Sequence, residues 1–371
     1  MSLRQKIEQE IRERGPIPFS RYMELCLYDP ELGYYSRNAE QFGKAGDFYT
    51  SSDVHAVFGR LLARQFEEMW RALGSPAQIE ILELGPGRGL FAQDVLDWSE
   101  KKFPEFFRAL HYSLAERSPA LRSRLRETLS RQIAAGKAGL TGPDDTTAAG
   151  PLIVFANEFF DAFPVEVLSQ QGKLLVGEQD GRFVESWTHA AEELEFLDRY
   201  GVHPEEGERI EVALGAQSFI AQLAASLQRG FMVTIDYGYT RPELLAGRHR
   251  GTVTAYRQHS VSASPYEAPG EQDITAHVNF TALAAAAEAQ GMQVSPLITQ
   301  SQFLLGIGEG NQFADAFEEC RLPQEQAKVT LQLKHLVTPA GMGESFHVMV
   351  ASKGVAEDKV SKLSGLSFGR R

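Results

Sequence analysis

From Ile79 onwards, short apolar runs alternate with longer stretches in which apolar residues recur every three or four positions. The short runs are typical of buried strands, and the longer stretches have the spacing of amphipathic helices. Predicted strands lie at IEILELG (79–85), HYSLAE (111–116), PLIVFANEFF (151–160), GFMVTIDYG (230–238), QVSPLITQ (293–300) and SFHVMVASK (345–353). Predicted helices lie at GLFAQDVLDWSEKKF (89–103), PALRSRLRETL (119–129), RIEVALGAQSFIAQLAASLQ (209–228) and TALAAAAEAQG (281–291). This alternation predicts an α/β fold with a Rossmann-like, doubly wound and mostly parallel sheet.

Three parts of the chain do not follow the alternation. The first 75 residues contain a helix of their own, DVHAVFGRLLARQFEEMWRAL (53–73), and predict a separate N-terminal helical segment. Residues 165–207 have glycines at turn spacing and predict an inserted hairpin, while residues 240–278 are rich in Pro, Gly and His. No strand is evident between residues 132 and 150. The predicted division is an N-terminal segment over 1–75, a core over 76–353 with insertions at about 165–207 and 240–334, and a tail over 354–371.

Composition and charge exclude several classes of protein. Hydrophobic residues make up 43% of the chain and charged residues 23%, which is ordinary for a folded protein. A formal net charge of -12 would repel a phosphate backbone, so nucleic acid is not an expected partner. No apolar run is long enough for a membrane span. The first residues mix Glu with Arg and indicate neither a secretory signal nor a transit peptide. The two cysteines, Cys26 and Cys320, lie far apart in the sequence and show no pattern of a disulfide framework. We therefore expect a reducing, cytoplasmic location.

The stretch ELGPGRGL joins the first predicted strand to the first predicted helix. A dinucleotide site would need a glycine in place of Leu90, and a triphosphate loop would need Lys and then Ser or Thr after the last glycine. The spacing of Gly85, Gly87 and Gly89, with the acidic Glu83 before them, instead suits a nucleoside ligand with a positive end and no pyrophosphate. S-adenosyl-L-methionine is such a ligand. The alternative is a strand-to-helix turn without any ligand.

Polar residues at the ends of the next two strands concern the same site. Glu116 ends the second strand, where a carboxylate can accept both hydroxyls of a ribose, whether of S-adenosyl-L-methionine or of NAD. Asn157 and Glu158 end the third strand and should face the same crevice as the glycines, because doubly wound sheets bind ligands beyond the carboxyl ends of their strands. Beside two phenylalanines, this polar pair could hold an amino or guanidinium nucleophile. A helix N-terminus that favours acids is the alternative.

Several segments together resemble the MidA-like family of S-adenosylmethionine-dependent methyltransferases. They are GPIPFSRYMELCLYDPELGYYS (15–36), GDFYTSSDV (46–54), ELGPGRG (83–89), NEFFDAFPVEV (157–167), IDYGY (235–239), AYRQH (255–259) and DITAHVNF (273–280). The resemblance implies a methyltransferase core. It also implies an arginine substrate, since the mitochondrial member of the family dimethylates an arginine of a respiratory complex I subunit. The resemblance further implies that the segment over 1–75 is an N-terminal helical lid, in which Gly46, Asp47, Thr50 and Ser51 close over the cofactor. The chain departs from the family pattern at Asn279, where Asp is usual, and at residues 251–253, where Gly-x-Leu is usual.

An arginine substrate would set its own chemical demand. A guanidinium stays protonated and delocalised, so carboxylates must orient one nitrogen towards the methyl group and stabilise the charge. Glu158 is the first candidate, and Asp161 or Glu166 is the second. His277 could accept the departing proton, fix a carboxylate or have a structural role alone, and Asp236 could face the cleft or cap the turn after it. The nine histidines lack the spacing of metal ligands, so no metal is expected.

Three other functions fit parts of the pattern. A methyltransferase of small molecules would need less surface than the long insertions provide. A non-catalytic assembly protein that keeps the fold would have no need of an intact glycine turn followed by Glu116. A nicotinamide dehydrogenase is disfavoured by Leu90. The prediction is therefore an S-adenosyl-L-methionine-dependent methyltransferase that acts on an arginine of a partner protein, with the target and the oligomeric state left open.

Overall fold

The computed structural model describes residues 1–36, 56–142, 150–248, 250–257 and 260–368. Its strands are β1 (Ile17–Pro18), β2 (Ile79–Leu84), β3 (Leu110–Ala115), β4 (Ala138–Thr141), β5 (Leu152–Asn157), β6 (Glu166–Ser169), β7 (Gly172–Gln179), β8 (Arg182–Thr188), β9 (Ile210–Val212), β10 (Gly230–Tyr239), β11 (Thr254–Arg257), β12 (Ser260–Val261), β13 (Asp273–Thr275), β14 (Val278–Asn279), β15 (Gln293–Val294), β16 (Ile298–Thr299) and β17 (Phe346–Lys353). Its α-helices are α1 (Leu3–Arg14), α2 (Phe19–Tyr28), α3 (Ala56–Ala72), α4 (Leu90–Lys102), α5 (Pro104–Ala109), α6 (Pro119–Thr128), α7 (Ser130–Ala134), α8 (Ala191–Tyr200), α9 (Leu214–Ser226), α10 (Arg241–Leu245), α11 (Phe280–Ala289), α12 (Gln300–Glu309), α13 (Ala314–Phe317), α14 (Pro323–Val337) and α15 (Glu357–Val360).

The central sheet has the strand order β15-β17-β10-β5-β2-β3-β4, with β14 paired to β10 and β16 paired to β17. The strands from β10 to β4 run parallel to one another, and β17 runs antiparallel to β10. The chain starts this parallel set at β2, continues outwards through β3 and β4, and returns to β5 on the other side of β2. The crevice between β2 and β5 is therefore the switch point at which doubly wound sheets bind ligands.

Helices cover both faces of the central sheet because its parallel strands are apolar on both sides. Along β2, Ile79 and Ile81 belong to one core, whereas Leu82 and Leu84 belong to the other. Helices α3 and α4 contribute to the first core, and α9 and α11 contribute to the second. Strand side chains alternate between faces, so the two cores lie on opposite sides of the sheet. The predicted α/β, Rossmann-like and mostly parallel fold is confirmed.

Two smaller antiparallel sheets are built from segments outside the alternation. Strands β1, β6, β7, β8 and β9 form one, in which β1 pairs with β7, and β11, β12 and β13 form the other. A third core joins these segments: Ile7 of α1, Tyr22 of α2, Val176 of β7 and Ile274 of β13 are all buried in it. The N-terminal helices are thus packed against both small sheets, and this brings their C-terminal end to the edge of the ligand crevice.

The structure differs from the predicted elements in three places. Strand β4 lies in the stretch where no strand is evident from the sequence, since four residues with one buried side chain give too little pattern. Residues 210–212 of the predicted helix 209–228 form β9 instead, because they pair with β6. The predicted strand 293–300 is two short strands, β15 and β16, separated by a segment that contains Pro296, which cannot donate to a strand ladder.

Candidate active site

The register of the parallel strands brings the predicted cofactor turn and two polar strand ends into one row. The last residue of β2 pairs with the last residue of β3 on one side and with the penultimate residue of β5 on the other. The next residues along the three strands are Gly85, Glu116 and Asn157. The N–H of Gly85 still donates to the final carbonyl of β3, at 3.1 Å. Three residues predicted to form one site therefore meet at the switch point.

The glycine turn is packed at both ends and open in the middle. Gly85, Gly87 and Gly89 have φ angles of 62°, 53° and 78°, in the left-handed region that favours glycine. A Cβ atom on Gly85 would lie 2.9 Å from the Phe159 ring, and one on Gly89 would lie 2.7 Å from Leu125. A Cβ atom on Gly87 would meet no described atom within 4 Å. A ligand can therefore approach the backbone at Gly87, and the turn fits a nucleoside cofactor.

Glu116 is held at the edge of this turn. Its Oε1 accepts the N–H of Ser118 at 2.8 Å, and its backbone carbonyl accepts a hydrogen bond from Arg122 at 2.9 Å. Burial raises the pKa of Glu116 to about 7. A partly buried carboxyl group fixed at the end of a neighbouring strand is well placed to accept ribose hydroxyls.

Glu83 has a different environment from the one that the sequence suggests. The residue is 5% exposed, and its Oε2 accepts the Tyr112 hydroxyl at 2.9 Å. Burial raises the pKa of Glu83 to about 8, so the carboxyl group is protonated at neutral pH. A neutral carboxyl group gives little charge complementarity to a sulfonium ligand, and the contact of Glu83 with the cofactor stays a prediction.

The end of β5 combines backbone strain with an unused acceptor. Glu158 has a φ of 49°, a conformation that costs a non-glycine residue about 1–2 kcal/mol. Its N–H donates to the carbonyl of Ile235 at 2.9 Å, and its Oε1 accepts the Asn157 side-chain amide at 3.2 Å. Asn157 Oδ1 is buried and accepts no hydrogen bond from the described residues. Strain and buried unpaired acceptors are typical of functional sites.

One carboxylate on the neighbouring strand holds the loop that follows Glu158. Asp236 Oδ2 accepts the N–H groups of residues 159–161 at 3.2, 3.0 and 3.3 Å, and Oδ1 accepts the N–H of Tyr237 at 3.0 Å. Burial and the charges of Asp161 and Glu158 raise the pKa of Asp236, and the N–H donors of Phe160 and Phe159 oppose that rise. Asp236 therefore caps the loop of β5 as well as its own turn, which places Glu158 indirectly.

The second predicted carboxylate, Asp161, lies within this capped loop. It is 3% exposed, burial raises its pKa to about 6, and its Oδ2 accepts a hydrogen bond from the Tyr237 hydroxyl. The rings of Tyr237 and His277 are T-shaped with centroids 5.4 Å apart, so Tyr237 stands between His277 and Asp161. Glu166 lies on β6, where it accepts the Ser20 hydroxyl at 2.6 Å. Of the two candidates for the second carboxylate, Asp161 is the one on the loop of Glu158.

The predicted lid residues Asp47, Thr50 and Ser51 lie outside the described residues. The segment before them does reach the site. The Tyr28 hydroxyl donates to the carbonyl of Ala162 at 2.9 Å, and the Tyr35 hydroxyl donates to Asp273 Oδ1 at 2.9 Å. These contacts are absent from the sequence prediction, although they join residues of three segments that resemble the MidA-like family.

The described part of the chain shows neither a metal centre nor a membrane span. Within it, no three His, Cys, Asp or Glu side chains are grouped so that they could bind a metal ion. None of the helices described there has both the length and the apolar composition needed to cross a bilayer.

Comparison with known proteins agrees with this geometry. A model of the family of S-adenosyl-L-methionine-dependent methyltransferases matches residues 61–298, which include the whole switch point. The chain is 29% identical to the protein arginine methyltransferase NDUFAF7 homolog, mitochondrial, of Drosophila melanogaster, over 99% of this chain and 88% of that protein. It is 26% identical to the human protein arginine methyltransferase NDUFAF7, mitochondrial, over 91% of this chain and 80% of that protein.

Solved structures extend the likeness to the whole fold. A Burkholderia thailandensis protein with bound S-adenosyl-homocysteine is 29% identical, with a TM-score of 0.82 over 97% of this chain and 94% of that one. A native structure from the same organism is 30% identical, with a TM-score of 0.82 over 99% and 94%. S-adenosyl-homocysteine is what S-adenosyl-L-methionine becomes when it loses its methyl group, so the ligand of the similar structure agrees with the predicted cofactor.

The comparisons correct one prediction and confirm others. The prediction of a cytoplasmic location is wrong by these comparisons, because the curated relatives are named as mitochondrial proteins. The resemblance to the MidA-like methyltransferases and the cofactor S-adenosyl-L-methionine are confirmed. The chain belongs to the family of S-adenosyl-L-methionine-dependent methyltransferases.

Proposed function

We propose that the chain transfers methyl groups from S-adenosyl-L-methionine to an arginine side chain of a protein. The proposal rests on the excess of acceptor oxygens at the end of β5, the strand beside the glycine turn. The residues with these oxygens are Asn157, Glu158 and Asp161. Two of these residues have a buried oxygen without a donor among the described residues. Such a loop suits a substrate group rich in N–H donors, as a guanidinium is. The curated relatives named protein arginine methyltransferases support the same substrate class.

Glu158 is the residue that we assign to orienting the nucleophile. When bound, S-adenosyl-L-methionine supplies a methyl group on a positively charged sulfur. The Glu158 carboxylate would accept N–H groups of the guanidinium, turn one nitrogen towards that methyl group and stabilise the charge as the bond forms. Its left-handed backbone and the Asp236 cap restrict the positions that the carboxylate can take.

Asp161 and His277 are assigned to supporting parts of the reaction. The nitrogen that gains a methyl group must lose a proton, and Asp161 lies on the same loop with a pKa raised to about 6 by burial. A carboxylate with that pKa can hold the guanidinium and receive the proton after transfer. His277 packs against Tyr237, which donates to Asp161, so we assign His277 to keeping this pair in place.

The cofactor is assigned to the residues around the glycine turn. The open backbone at Gly87 would lie against the ligand, with Gly85 and Gly89 forming the tight ends of the turn. Glu116 would accept the ribose hydroxyls, and Glu83 would support the turn from inside the sheet. The lid over the cofactor would include Asp47, Thr50 and Ser51.

Mass spectrometry of proteomes from cells with and without the gene tests the proposal. We expect dimethylarginine to disappear from one protein in the deletion strain and to return with the wild-type gene but not with Glu158→Gln. A respiratory complex I subunit or its bacterial counterpart is the first protein to inspect, because the resemblance implies it. Unchanged methylarginine together with loss of a methylated metabolite would contradict the proposal and favour a small-molecule substrate.

A further inference from the structure

A second group of acidic and aromatic side chains lies beside Asp161 and comes from distant parts of the chain. Tyr28 and Tyr35 belong to the N-terminal segment, and Asp273 begins β13. Asp273 is 3% exposed, and its Oδ1 accepts the Tyr35 hydroxyl at 2.9 Å. The Tyr28 hydroxyl reaches the carbonyl of Ala162, the residue next to Asp161, at 2.9 Å. Neither Asp273 nor the two tyrosines has a part in the mechanism above.

Backbone and side-chain contacts direct Asp273 towards Asp161. The N–H of Ala276, just after β13, donates to the carbonyl of Asp161 at 2.9 Å. The Thr275 side chain opposes the rise in the pKa of Tyr237 that burial causes, so it lies beside the Tyr237 hydroxyl, which donates to the Asp161 carboxylate. Side chains two positions apart on a strand point to the same face. Asp273 therefore points to the same side of β13 as Thr275, which is the side of Asp161.

The Asp161 carboxylate has acceptor capacity that the protein does not use. Its Oδ1 is buried and receives no well-aligned hydrogen bond from the described part of the chain, and the N–H groups of Asp161 and Ala162 only partly oppose the rise in its pKa. Asn157 Oδ1, at the start of the same loop, is also buried without a hydrogen-bond donor among the described residues. A buried acceptor without a donor destabilises a protein unless a ligand supplies the donor. The missing partner of this loop is therefore a hydrogen-bond donor.

The two tyrosine rings provide a suitable wall for a cation. Their centroids are 5.5 Å apart, with the ring planes inclined by 32°. Tyr28 is 36% exposed, so the wall reaches the protein surface. Burial, and then the negative charges of Asp161 and Asp273, raise the pKa of both phenols and keep them neutral. Neutral phenol rings attract cations to their faces.

We propose that Asp161 and Asp273, together with the rings of Tyr28 and Tyr35, form the recognition site for the guanidinium of the substrate. The inference rests on the proposed function and extends it, since it assigns substrate selection to Asp273 and to the N-terminal segment. A guanidinium presents a planar set of five N–H donors that can bind two carboxylates at once. A lysine ammonium has three donors on one nitrogen and matches the pair less well. The site therefore selects arginine over lysine.

Binding of small probes to protein saturated with S-adenosylhomocysteine tests this inference. The probes are N-acetyl-arginine methylamide, its lysine counterpart and its citrulline counterpart, which keeps the shape of arginine without the charge. We expect the arginine probe to bind at least about tenfold more tightly than the citrulline probe, and Asp273→Asn to remove most of that difference. Equal binding of the two probes to the wild-type protein would overturn the inference, whether or not the variant folds.

Control measurements distinguish substrate recognition at this site from cofactor binding and from the proposed methyl transfer. Asp358→Asn removes a carboxylate whose side chain is 70% exposed on α15, and it should bind every probe as the wild type does. Asp273→Asn should raise KM for an arginine substrate with little change in kcat or in cofactor affinity. If cofactor affinity falls in parallel, the carboxylates serve the cofactor and the inference is wrong. If the wild type selects the arginine probe yet methylates no arginine, the proposed function fails and the recognition site stands.

Discussion

Asp236→Asn should slow methyl transfer because Asp236 holds the loop that carries Glu158. An amide can keep its oxygen towards the three N–H groups of residues 159–161, but its nitrogen then faces the N–H of Tyr237. The Tyr237 N–H and the new NH2 group are then both left without an acceptor, and each unpaired buried donor costs about 1–3 kcal/mol in the free energy of unfolding. The reverse orientation would leave three backbone donors and the NH2 group unpaired and is less favourable. The loop therefore loosens without losing its main cap.

The effect on catalysis should exceed the effect on folding. A displacement of Glu158 by about 1 Å is enough to lower the rate on the order of 10²-fold. The turnover number is measured with radiolabelled S-adenosyl-L-methionine, the free energy of unfolding by urea titration, and cofactor affinity by calorimetry. Asp358→Asn, an exposed change of the same kind, should alter none of the three. A less stable Asp236→Asn enzyme with unchanged turnover would refute the positioning role and leave Asp236 with a role in the fold alone.

Two further changes test the glycine turn and the buried acid beside it. Gly87→Val should abolish binding of S-adenosyl-L-methionine. The control Gly74→Val changes a glycine with a φ of 85° and equally open described surroundings, and it should keep the affinity of the wild type. If calorimetry gives the same cofactor affinity for both variants, the glycine turn is not part of the cofactor site. The pKa of Glu83 is about 8 in the native protein and 4.5 in the unfolded chain, so only the unfolded chain loses the proton between these values. The wild type should therefore lose stability relative to Glu83→Gln as pH rises from about 5 to 8. A difference in thermal stability that stays constant over that range would contradict the buried, protonated state.

The centre of the site could be predicted from the sequence because its signals are local. Gly85 directly follows an apolar strand, and Glu116 and Asn157 end the two strands that become its neighbours. Parallel pairing then places the three in one row, as the general rule for switch points requires. Strand β4 gave no such signal, since only one of its four side chains is buried.

Contacts between distant segments could not be predicted in the same way. The hydrogen bond from Tyr35 to Asp273 joins residues 238 positions apart, and no spacing rule connects them. The cap by Asp236 depends on the backbone of another strand, so the sequence allowed only a choice between a cleft residue and a cap. The left-handed backbone of Glu158 is also invisible in the sequence, because left-handed turns are usually marked by glycine or asparagine.

The most direct test compares Glu158→Gln with Glu116→Gln in the same two assays. Glu158 is assigned to the substrate and Glu116 to the cofactor, although the two residues lie at the ends of strands that both neighbour β2. Glu158→Gln should therefore lower turnover by roughly 10² or more with little change in cofactor affinity, whereas Glu116→Gln should weaken cofactor binding. Unchanged turnover in Glu158→Gln, or a loss of cofactor affinity in that variant as in Glu116→Gln, would contradict the assignment of Glu158 to the substrate.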